Sequence, residues 1–499
     1  MTQPDFFIEC ETVSQFLSVH KLSVQHPPQF LQTAPKRGTF ATCQNITRVV
    51  IVMPMENAKA LAAALVGAAF AGLGALIFAL ADQWSTDFGG AIWQSRPWVL
   101  FLLMPGGLVL ILFLRDRVFP GTDGTGIPQT IAALKSGPGP LRDRLISGRV
   151  AVGKIILTVL GLFSCLSIGR EGPSVQLAAC MMHMVSRWAK FPAHLIERGL
   201  ILGGGAAGIS AAFNAPLAGV VFAFEEIGRT FDKRNLGTIL RTAVIACLVT
   251  TSVLGNYFFY GNYSDYATGS EFLSPLTWVA VVAIGVIGGG MGGLFSKCLL
   301  ALMPWVSRKI RVSFWKVAVV IGLASACLAW VSDGATLNGG RDQAMAILAA
   351  SSPAYAASLP ADEAARLTAI HEHCGPAYPA LRAAASFFAL ITGIPGGLFD
   401  PSFSVGAGLG NWTAPWLAWT GATPLAVVLL FIVAYFSGVV QSPVTSCVIL
   451  VEMTGLVAFT LPLAAAAVIA YETSRRICPN ALYESLAQNF LRKEESSKR

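Results

Sequence analysis

Charged residues are scarce in this 499-residue sequence. Asp, Glu, Lys and Arg together make up 12% of the chain and hydrophobic residues 54%, whereas an ordinary soluble domain is roughly 25% charged. This composition excludes a typical soluble domain and indicates an integral membrane protein.

Two common sequence signatures are also missing. The ten cysteines include no Cys-x-x-Cys pair and several lie in apolar runs, so we interpret them as small core residues rather than a disulfide framework. Residues 1–55 lack the basic start and short apolar core of a secretory signal. We interpret them as an N-terminal cytoplasmic segment.

Apolar runs recur along most of the chain, and several are shorter than the roughly 20 residues that a perpendicular span needs. Because many of them contain Gly or Pro, we predict broken, tilted and half-length helices. The net charge is +8, and the basic residues gather mainly between the apolar runs. This distribution indicates cytoplasmic loops rather than a nucleic-acid partner. We predict a polar connection at 82–97, a basic loop at 135–154 and an exposed loop at 333–382.

The segment Gly169-Arg170-Glu171-Gly172-Pro173 places charge in apolar surroundings, where the bilayer makes charge costly. Pro173 suits the first turn of a helix, and Gly172 allows close approach of a ligand to the backbone. A helix beginning here would direct free N–H groups and a positive dipole end toward residues 170–172. The segment therefore predicts an anion site with a carboxylate at its entrance.

Two other segments share this pattern of glycines followed by proline. The first is Gly124-Thr125-Gly126-Ile127-Pro128, and the second is Gly396-Gly397-Leu398-Phe399-Asp400-Pro401. Each predicts a loop that exposes its backbone before a helix. Asp400 is placed as an N-cap for the helix that follows, although a side chain pointing inward would weaken anion occupancy.

The chain also contains an internal repeat. Gly169 to Ser174 matches Gly397 to Ser402 at an offset of 228, and the segment Pro216 to Glu225 matches Pro443 to Glu452 at an offset of 227. We predict a first membrane repeat at 56–260, a second at 261–490 and a basic tail at 491–499. If the repeats are inverted, the segments 169–173 and 397–401 meet at mid-membrane.

The repeat separates symmetric from asymmetric acids. Glu225 has the counterpart Glu452 and is interpreted as a structural feature, whereas Glu226 corresponds to Met453 and Glu171 to Phe399. The two asymmetric carboxylates, Glu171 and Glu226, are therefore the functional candidates.

The motifs GTGIP, GREGP and GxFxP in this order, with Glu226 and Tyr483 after helical runs, resemble the CLC family of chloride channels and proton-coupled chloride transporters. The resemblance covers about residues 60–490 and favours the prokaryotic antiporter branch. It implies an all-α polytopic membrane protein, a CLC-type inverted-repeat bundle of tilted and half-length helices. It also implies a homodimer in the lipid bilayer of a prokaryotic plasma membrane, with chloride or a similar monovalent anion and protons as its partners.

The resemblance also implies roles for individual residues. Glu171 corresponds to an external gating glutamate, and Glu226 to an internal glutamate that passes protons in the transporter branch. The implied anion-binding residues, which act through main-chain N–H groups or hydroxyls, are Thr125, Arg170, Gly172, Leu398, Phe399 and Tyr483. The implied function is H⁺/Cl⁻ exchange without a cofactor, a metal or enzymatic activity.

Alternatives remain open at this point. Thr125 stands where chloride-selective relatives usually have serine and nitrate-selective plant relatives have proline, so a fluoride- or nitrate-preferring relative remains an alternative. A passive chloride channel with the same fold is another. The segment His371-Glu372-His373-Cys374 suggests a metal site and a membrane-embedded enzyme. Four consecutive residues do not converge on one ion without a special turn, which argues against that interpretation.

Overall fold

A computed structural model of the chain describes residues 58–188, 197–231 and 233–498. The predicted N-terminal segment 1–55 lies outside these residues. The described residues form a helical bundle, so the predicted all-α membrane fold is confirmed.

The first half of the described chain contains a series of helices joined by short connections. In chain order they are α1 (Ala58–Ser95), α2 (Leu100–Arg117), α3 (Ile127–Lys135), α4 (Pro140–Leu145), α5 (Gly148–Phe163), α6 (Glu171–Trp188), α7 (Glu197–Phe213), α8 (Pro216–Phe222) and α9 (Leu236–Leu254). A π-helical turn, Ala223–Gly228, extends α8.

The second half begins with a very long helix and continues with shorter ones. They are α10 (Pro275–Val331), α11 (Arg341–Ser351), α12 (Pro353–Ser358), α13 (Ala361–Glu372), α14 (Tyr378–Ile391), α15 (Phe399–Leu417), α16 (Pro424–Val440), α17 (Pro443–Thr454), α18 (Thr460–Ile477) and α19 (Leu482–Lys498).

Helix α10 contains two membrane spans. Its 57 residues would extend for about 86 Å if the helix were straight, which is far more than the roughly 30 Å of a hydrocarbon core. The helix is broken at Ser313, where φ is −155° and ψ is 80°. Exposed basic residues surround this break, including Arg308, Lys309 and Lys316, so the break lies at a polar boundary between the two spans.

The predicted mixture of full-length and short helices is confirmed. In the described part of the chain, six helical segments are long and apolar enough to cross a membrane, and four shorter apolar helices accompany them. The shorter ones are 198–213, 378–391, 424–440 and 443–454.

Three predicted loops are wrong. The connection predicted at 82–97 is mostly a continuation of α1, the segment 135–154 includes α4 and the start of α5, and the segment 333–382 includes α11, α12 and α13. Hydropathy identified these segments as polar, but polar residues also occupy helices at the ends of the bundle, where one side contacts water.

Small residues allow the inner helices to pack closely. A Cβ at Gly208 of α7 would lie 2.7 Å from the carbonyl oxygen of Ser174 in α6, and a Cβ at Gly204 would lie 2.9 Å from that of Ala178. The small residues of α7 thus allow close contact with α6. At the centre, every residue of α16 from Leu425 to Val440 is buried.

Candidate functional site

The two glycine-proline segments meet inside the bundle. The N–H of Gly169 donates to the carbonyl of Gly397 over 2.9 Å, and the N–H of Gly397 donates back to the carbonyl of Gly169 over 2.5 Å. Helix α6 begins two residues after Gly169, and α15 begins two residues after Gly397. The predicted meeting of 169–173 with 397–401 is confirmed, and each segment brings the unpaired N–H groups of a helix N-terminus.

The carboxylate of Glu171 lies in this junction. Glu171 is fully buried, and neither of its oxygens accepts a hydrogen bond from a donor in the described residues. A Cβ added at Gly169 or at Gly397 would collide with that carboxylate. At Gly397 the Cβ would also lie 2.9 Å from the main-chain carbonyl carbon of Gly169, so a side chain at position 397 would disturb the junction itself.

The side chain of Arg170 points away from the junction. Its Nε lies 3.9 Å from Oδ2 of Asp82, its Nη2 donates to the carbonyl of Ala212 over 3.4 Å, and its guanidinium lies 5.8 Å from the centre of the Phe259 ring. These contacts direct the guanidinium toward Asp82, Ala212 and Phe259, so the part of Arg170 that lies at the junction is its main chain.

The loop 124–126 packs against the start of α6. A Cβ at Gly172 would lie 2.6 Å from the carbonyl oxygen of Thr125, and a Cβ at Gly126 would lie 2.8 Å from that of Gly172. Gly126 also has a φ of +100°, which disfavours any residue with a side chain. The third glycine motif is thus part of the same site.

Thr125 and Tyr483 hold buried hydroxyls that have no hydrogen-bond partner among the described residues. Both residues and Leu398 line a cavity of about 570 Å³. The cavity is also lined by the basic residues Arg115, Arg117, Arg311 and Lys493 and by the acidic residues Asp116 and Asp123. Orphaned O–H donors in a mainly basic cavity fit an anion, which would accept their hydrogen bonds.

Phe399 contributes to the site through its main chain. Its ring packs in a buried aromatic cluster, with ring centres 4.6 Å from Phe436, 5.9 Å from Phe222 and 6.1 Å from Phe213. The amides of Leu398 and Phe399 are at the N-terminus of α15, where N–H groups have no partner within the helix.

Glu226 lies in the π-helical turn after α8 and is 1% exposed. Its carboxylate accepts a hydrogen bond from the hydroxyl of Ser442 over 2.5 Å and one from Nη2 of Arg229 over 3.4 Å. The hydroxyl of Tyr483 is within electrostatic range of both Glu226 and Glu171. Both candidate acids therefore interact electrostatically with the same cavity-lining tyrosine.

Glu225, in contrast, has a structural role that the repeat predicted. Its oxygens accept from the N–H groups of Val444 (3.1 Å) and Thr445 (2.6 Å) at the start of α17. Glu452 in turn accepts from the N–H groups of Leu217 (3.1 Å) and Ala218 (2.6 Å) at the start of α8. This reciprocal capping confirms that Glu225 and Glu452 form a symmetric pair.

The family model described as voltage gated chloride channel matches residues 107–475 of the chain. The chain belongs to the CLC family. The predicted resemblance is thereby confirmed, and the sequence motifs that carried it all lie in or beside the site.

This CLC protein resembles known exchangers of the family in sequence and fold. It is 28% identical over 451 residues to the H(+)/Cl(-) exchange transporter ClcA of Cronobacter sakazakii, which covers 86% of this chain and 89% of that protein. Its fold resembles a slow cyanobacterial Cl-/H+ antiporter with a TM-score of 0.69, 23% identity and coverage of 89% and 100% of the two chains. It also resembles a CLC-type fluoride/proton antiporter with a TM-score of 0.66, 20% identity and coverage of 89% and 99%.

The predicted N-cap role of Asp400 is wrong for this CLC protein. Helix α15 begins at Phe399 with Leu398 as its N-cap, so Asp400 lies within the first turn, and its buried oxygens accept no hydrogen bond from a donor in the described residues. The carboxyl group instead lies within hydrogen-bonding reach of that of Glu171.

The segment His371 to Cys374 has diverging contacts. His371 contacts Asn411 over 3.3 Å, His373 contacts Asp333 over 2.7 Å, and the thiol of Cys374 donates to the carbonyl of Ile370 over 3.4 Å. The part of the chain that the structure describes contains no cluster of three or more His, Cys, Asp or Glu side chains suited to a metal ion. The contacts give the enzyme alternative no support.

Sequence reasoning missed Lys154. This fully buried lysine in α5 donates to the carbonyls of Thr122 (2.9 Å) and Gly124 (2.7 Å) and so fixes the loop that carries Thr125. The available signal was a single charge inside the apolar sequence VAVGKIIL, which a membrane helix retains only when a partner lies nearby.

Proposed function

We propose that this CLC protein is a secondary active transporter that exchanges chloride for protons across a membrane. The observation that supports the proposal is that two asymmetric buried acids, Glu171 and Glu226, both interact electrostatically with Tyr483, whose buried hydroxyl has no hydrogen-bond partner among the described residues. The Cronobacter sakazakii relative is an H(+)/Cl(-) exchange transporter, which supports the same kind of activity here. The protein is then a transport protein and not an enzyme.

Uncharged donors hold the anion in this proposal. The hydroxyls of Thr125 and Tyr483 and the N–H groups of Leu398 and Phe399 bind the central anion, and the N–H groups around Arg170 and Gly172 serve an outer position. Neutral donors bind an anion weakly enough for it to leave again, whereas a lysine or arginine at the same place would hold it too firmly.

Glu171 is the gate and Glu226 the internal proton-transfer residue. When ionised, the Glu171 carboxylate occupies the junction between Gly169 and Gly397, where the helix N-termini also favour an anion. When protonated, it loses that attraction and vacates the junction. Competition between one carboxylate and one anion for the same N–H groups therefore links proton binding to anion movement.

The bilayer and a second copy of the chain are the proposed surroundings. Large apolar side chains are exposed on the outside of the bundle, among them Leu102 (68%), Val320 (67%) and Leu461 (69%). Lipid chains or a partner subunit would cover them. We place the homodimer in a prokaryotic plasma membrane, as the bacterial relative suggests.

Simultaneous measurement of proton and chloride flux tests the proposal. In liposomes containing the purified protein, an outward chloride gradient should drive protons inward against their own gradient. Glu171→Gln should abolish this proton movement while chloride continues to pass. Robust chloride flux in the wild-type protein without uphill proton movement would reject exchange and favour the passive channel.

Fluoride is a second candidate anion. Thr125 lines the cavity, and compared with serine it has an additional methyl group beside its hydroxyl. A CLC-type fluoride/proton antiporter also shares the fold. A competition series with chloride, fluoride and nitrate in the same liposomes decides between them. The proposal expects chloride to compete best, and preferential transport of fluoride would replace chloride with fluoride as the substrate.

A further inference from the structure

Asp400 is a buried acid that the proposed exchange mechanism does not use. It is 1% exposed in the first turn of α15, and its carboxyl group lies within hydrogen-bonding reach of that of Glu171. None of the four oxygens of these two side chains accepts a hydrogen bond from a donor elsewhere in the described residues. Two oxygens that face each other in this way form a hydrogen bond only when one of them carries a proton.

The charged groups around the pair do not remove the need for that proton. Asp82 in α1 is within electrostatic range of Asp400 and adds negative charge. Arg170 and Arg341 add positive charge, but Arg170 is directed at Asp82, and Arg341 donates to the carbonyl of Phe259 over 3.2 Å. The titratable and charged groups that act on the pair from neighbouring elements are Asp82, Arg170, Tyr260, Arg341 and Tyr483.

Asp400 also connects Glu171 with a second cavity of about 700 Å³. This cavity is lined by Asp82, Gly339 and Arg341, among others. A Cβ at Gly339 would lie 3.4 Å from Cβ of Asp400 and 3.7 Å from its Oδ2. Asp400 therefore lies next to both a wall residue of this cavity and Glu171.

We propose that Asp400 is a second gating acid, which shares one proton with Glu171 and passes protons between Glu171 and the second cavity. This inference rests on the proposed exchange function and extends it. Two adjacent carboxylates are not both ionised in a buried site, so the pair retains one proton while Glu171 lies in the junction. The proton moves from the Asp400 carboxyl to the Glu171 carboxylate, and the Asp400 carboxylate then takes a new proton from water in the second cavity.

The pH profile of chloride flux tests the shared proton. Flux is measured in liposomes with equal pH on both sides, so that the orientation of the inserted protein does not matter. In the wild-type protein the repulsion between two adjacent carboxylates keeps one proton in the pair, where Glu171 can receive it. Asp400→Asn removes this repulsion, and the pH of half-maximal flux should therefore fall by on the order of one unit.

Matched variants separate this effect from a general disturbance. Asp87 is an exposed acid that lines the same cavity, and Asp87→Asn should keep the wild-type pH profile. Asp400→Glu keeps a carboxyl group and should restore a profile close to that of the wild type. In a Glu171→Gln background, Asp400→Asn should produce no further shift, because the acid it acts on is already gone.

An Asp400→Asn profile that coincides with the wild-type profile overturns the proposal. The pH profile of chloride flux can be measured even if the protein transports no protons. A failure of the proposed exchange and a failure of the shared-proton proposal are therefore distinguishable results. If Asp400→Asn does not fold, infrared spectroscopy of the wild-type and Glu171→Gln proteins decides. The shared proton predicts a protonated-carboxyl C=O band in the wild type that changes in frequency or disappears in Glu171→Gln at the same pH, and an unchanged band contradicts it.

Discussion

The hydroxyls of Thr125 and Tyr483 define the chemistry of the cavity at the scale of single residues. A buried polar group without a partner costs about 1–3 kcal/mol, so two such groups beside one cavity indicate that a ligand completes their hydrogen bonds. Both groups can donate, and the main-chain N–H groups of Leu398 and Phe399 are donors as well. A site built from donors alone favours an anion.

Removing one of these donors should weaken chloride binding. Thr125→Val keeps the shape of the side chain but loses the hydroxyl, so the dissociation constant for chloride should rise on the order of tenfold, as expected for one hydrogen bond to a charged ligand. Thr125→Ser is the matched control and should bind chloride about as well as the wild type. Titration calorimetry of the purified proteins measures both values, and equal affinities of the Val and Ser variants would exclude a hydroxyl donor at this position.

Glu226 should be required for proton movement only. Glu226→Gln removes a buried acid but keeps a side chain that can contact Ser442 and Arg229. Uphill proton transport should therefore be lost while chloride flux persists in liposomes. The exposed acid Glu472 in α18 gives the control Glu472→Gln, which should retain coupling. Normal coupling in Glu226→Gln would remove Glu226 from the pathway.

At the scale of helices, the reciprocal caps fasten the two repeats to each other. Glu225 receives the first N–H groups of α17, and Glu452 receives those of α8. A carboxylate at a helix N-terminus is favoured both by the hydrogen bonds and by the helix dipole. The pair therefore stabilises the structure rather than carrying out transport.

Loss of either cap should lower stability without uncoupling transport. Glu225→Gln and Glu452→Gln each keep one acceptor oxygen and lose the charge, which should cost about 1 kcal/mol. Thermal unfolding in detergent should show a lower Tm for both variants and an unchanged Tm for Glu472→Gln. Complete loss of proton coupling in a stably folded Glu225→Gln protein would contradict this structural role.

Helix α19, which carries Tyr483, is held to α3 by an ion pair outside the membrane spans. Nζ of Lys135 lies 2.6 Å and 2.7 Å from the two carboxylate oxygens of Glu484. Partial burial raises the pKa of Glu484, but the hydrogen bonds from Lys135 and Gln488 and the nearby positive charges outweigh it, so the pKa lies below its usual value of 4.5.

This lowered pKa predicts the pH dependence of the contact. A carboxyl group with a depressed folded-state pKa stabilises the fold above its unfolded-state pKa, and this stabilisation is lost as the pH falls through the folded-state pKa. Glu484→Gln should therefore have a lower Tm than the wild type at pH 7, and the difference should close below pH 4.5. A difference in Tm that stays constant over this range would show that the charge of Glu484 is not responsible.

At the scale of the whole molecule, the sequence predicted the meeting of two helix N-termini better than the course of the connections. The spacing of glycine and proline is directly tied to helix N-termini, so an inverted repeat with an offset of 228 predicted the meeting of 169–173 with 397–401. The helices in 333–382 did not follow, because they lie at the end of the bundle and lack an apolar run. Polarity alone does not separate such helices from loops.

The parts of the site that depend on distant contacts were also beyond the sequence. Nζ of Lys154 donates hydrogen bonds to two carbonyls that lie 32 and 30 residues earlier in the chain. The residues around Lys154 in the sequence do not indicate which groups accept these bonds. Asp400 matched the local pattern of an N-cap, but the start of α15 at Phe399 placed it opposite Glu171 instead. Local patterns predicted which residues begin the helices, whereas tertiary packing decided which side chains face each other.

The location of bound bromide in crystals is the most direct test of the claim that an anion and the Glu171 carboxylate compete for the same helix N-termini. In the wild-type protein, the anomalous signal of bromide should lie within hydrogen-bonding distance of the hydroxyls of Thr125 and Tyr483. In Glu171→Gln, a second bromide should lie beside the contact between Gly169 and Gly397, at the N-termini of α6 and α15, where the carboxylate was. A bromide that binds only elsewhere, or a Glu171→Gln junction that stays without an anion at saturating bromide, would contradict this claim.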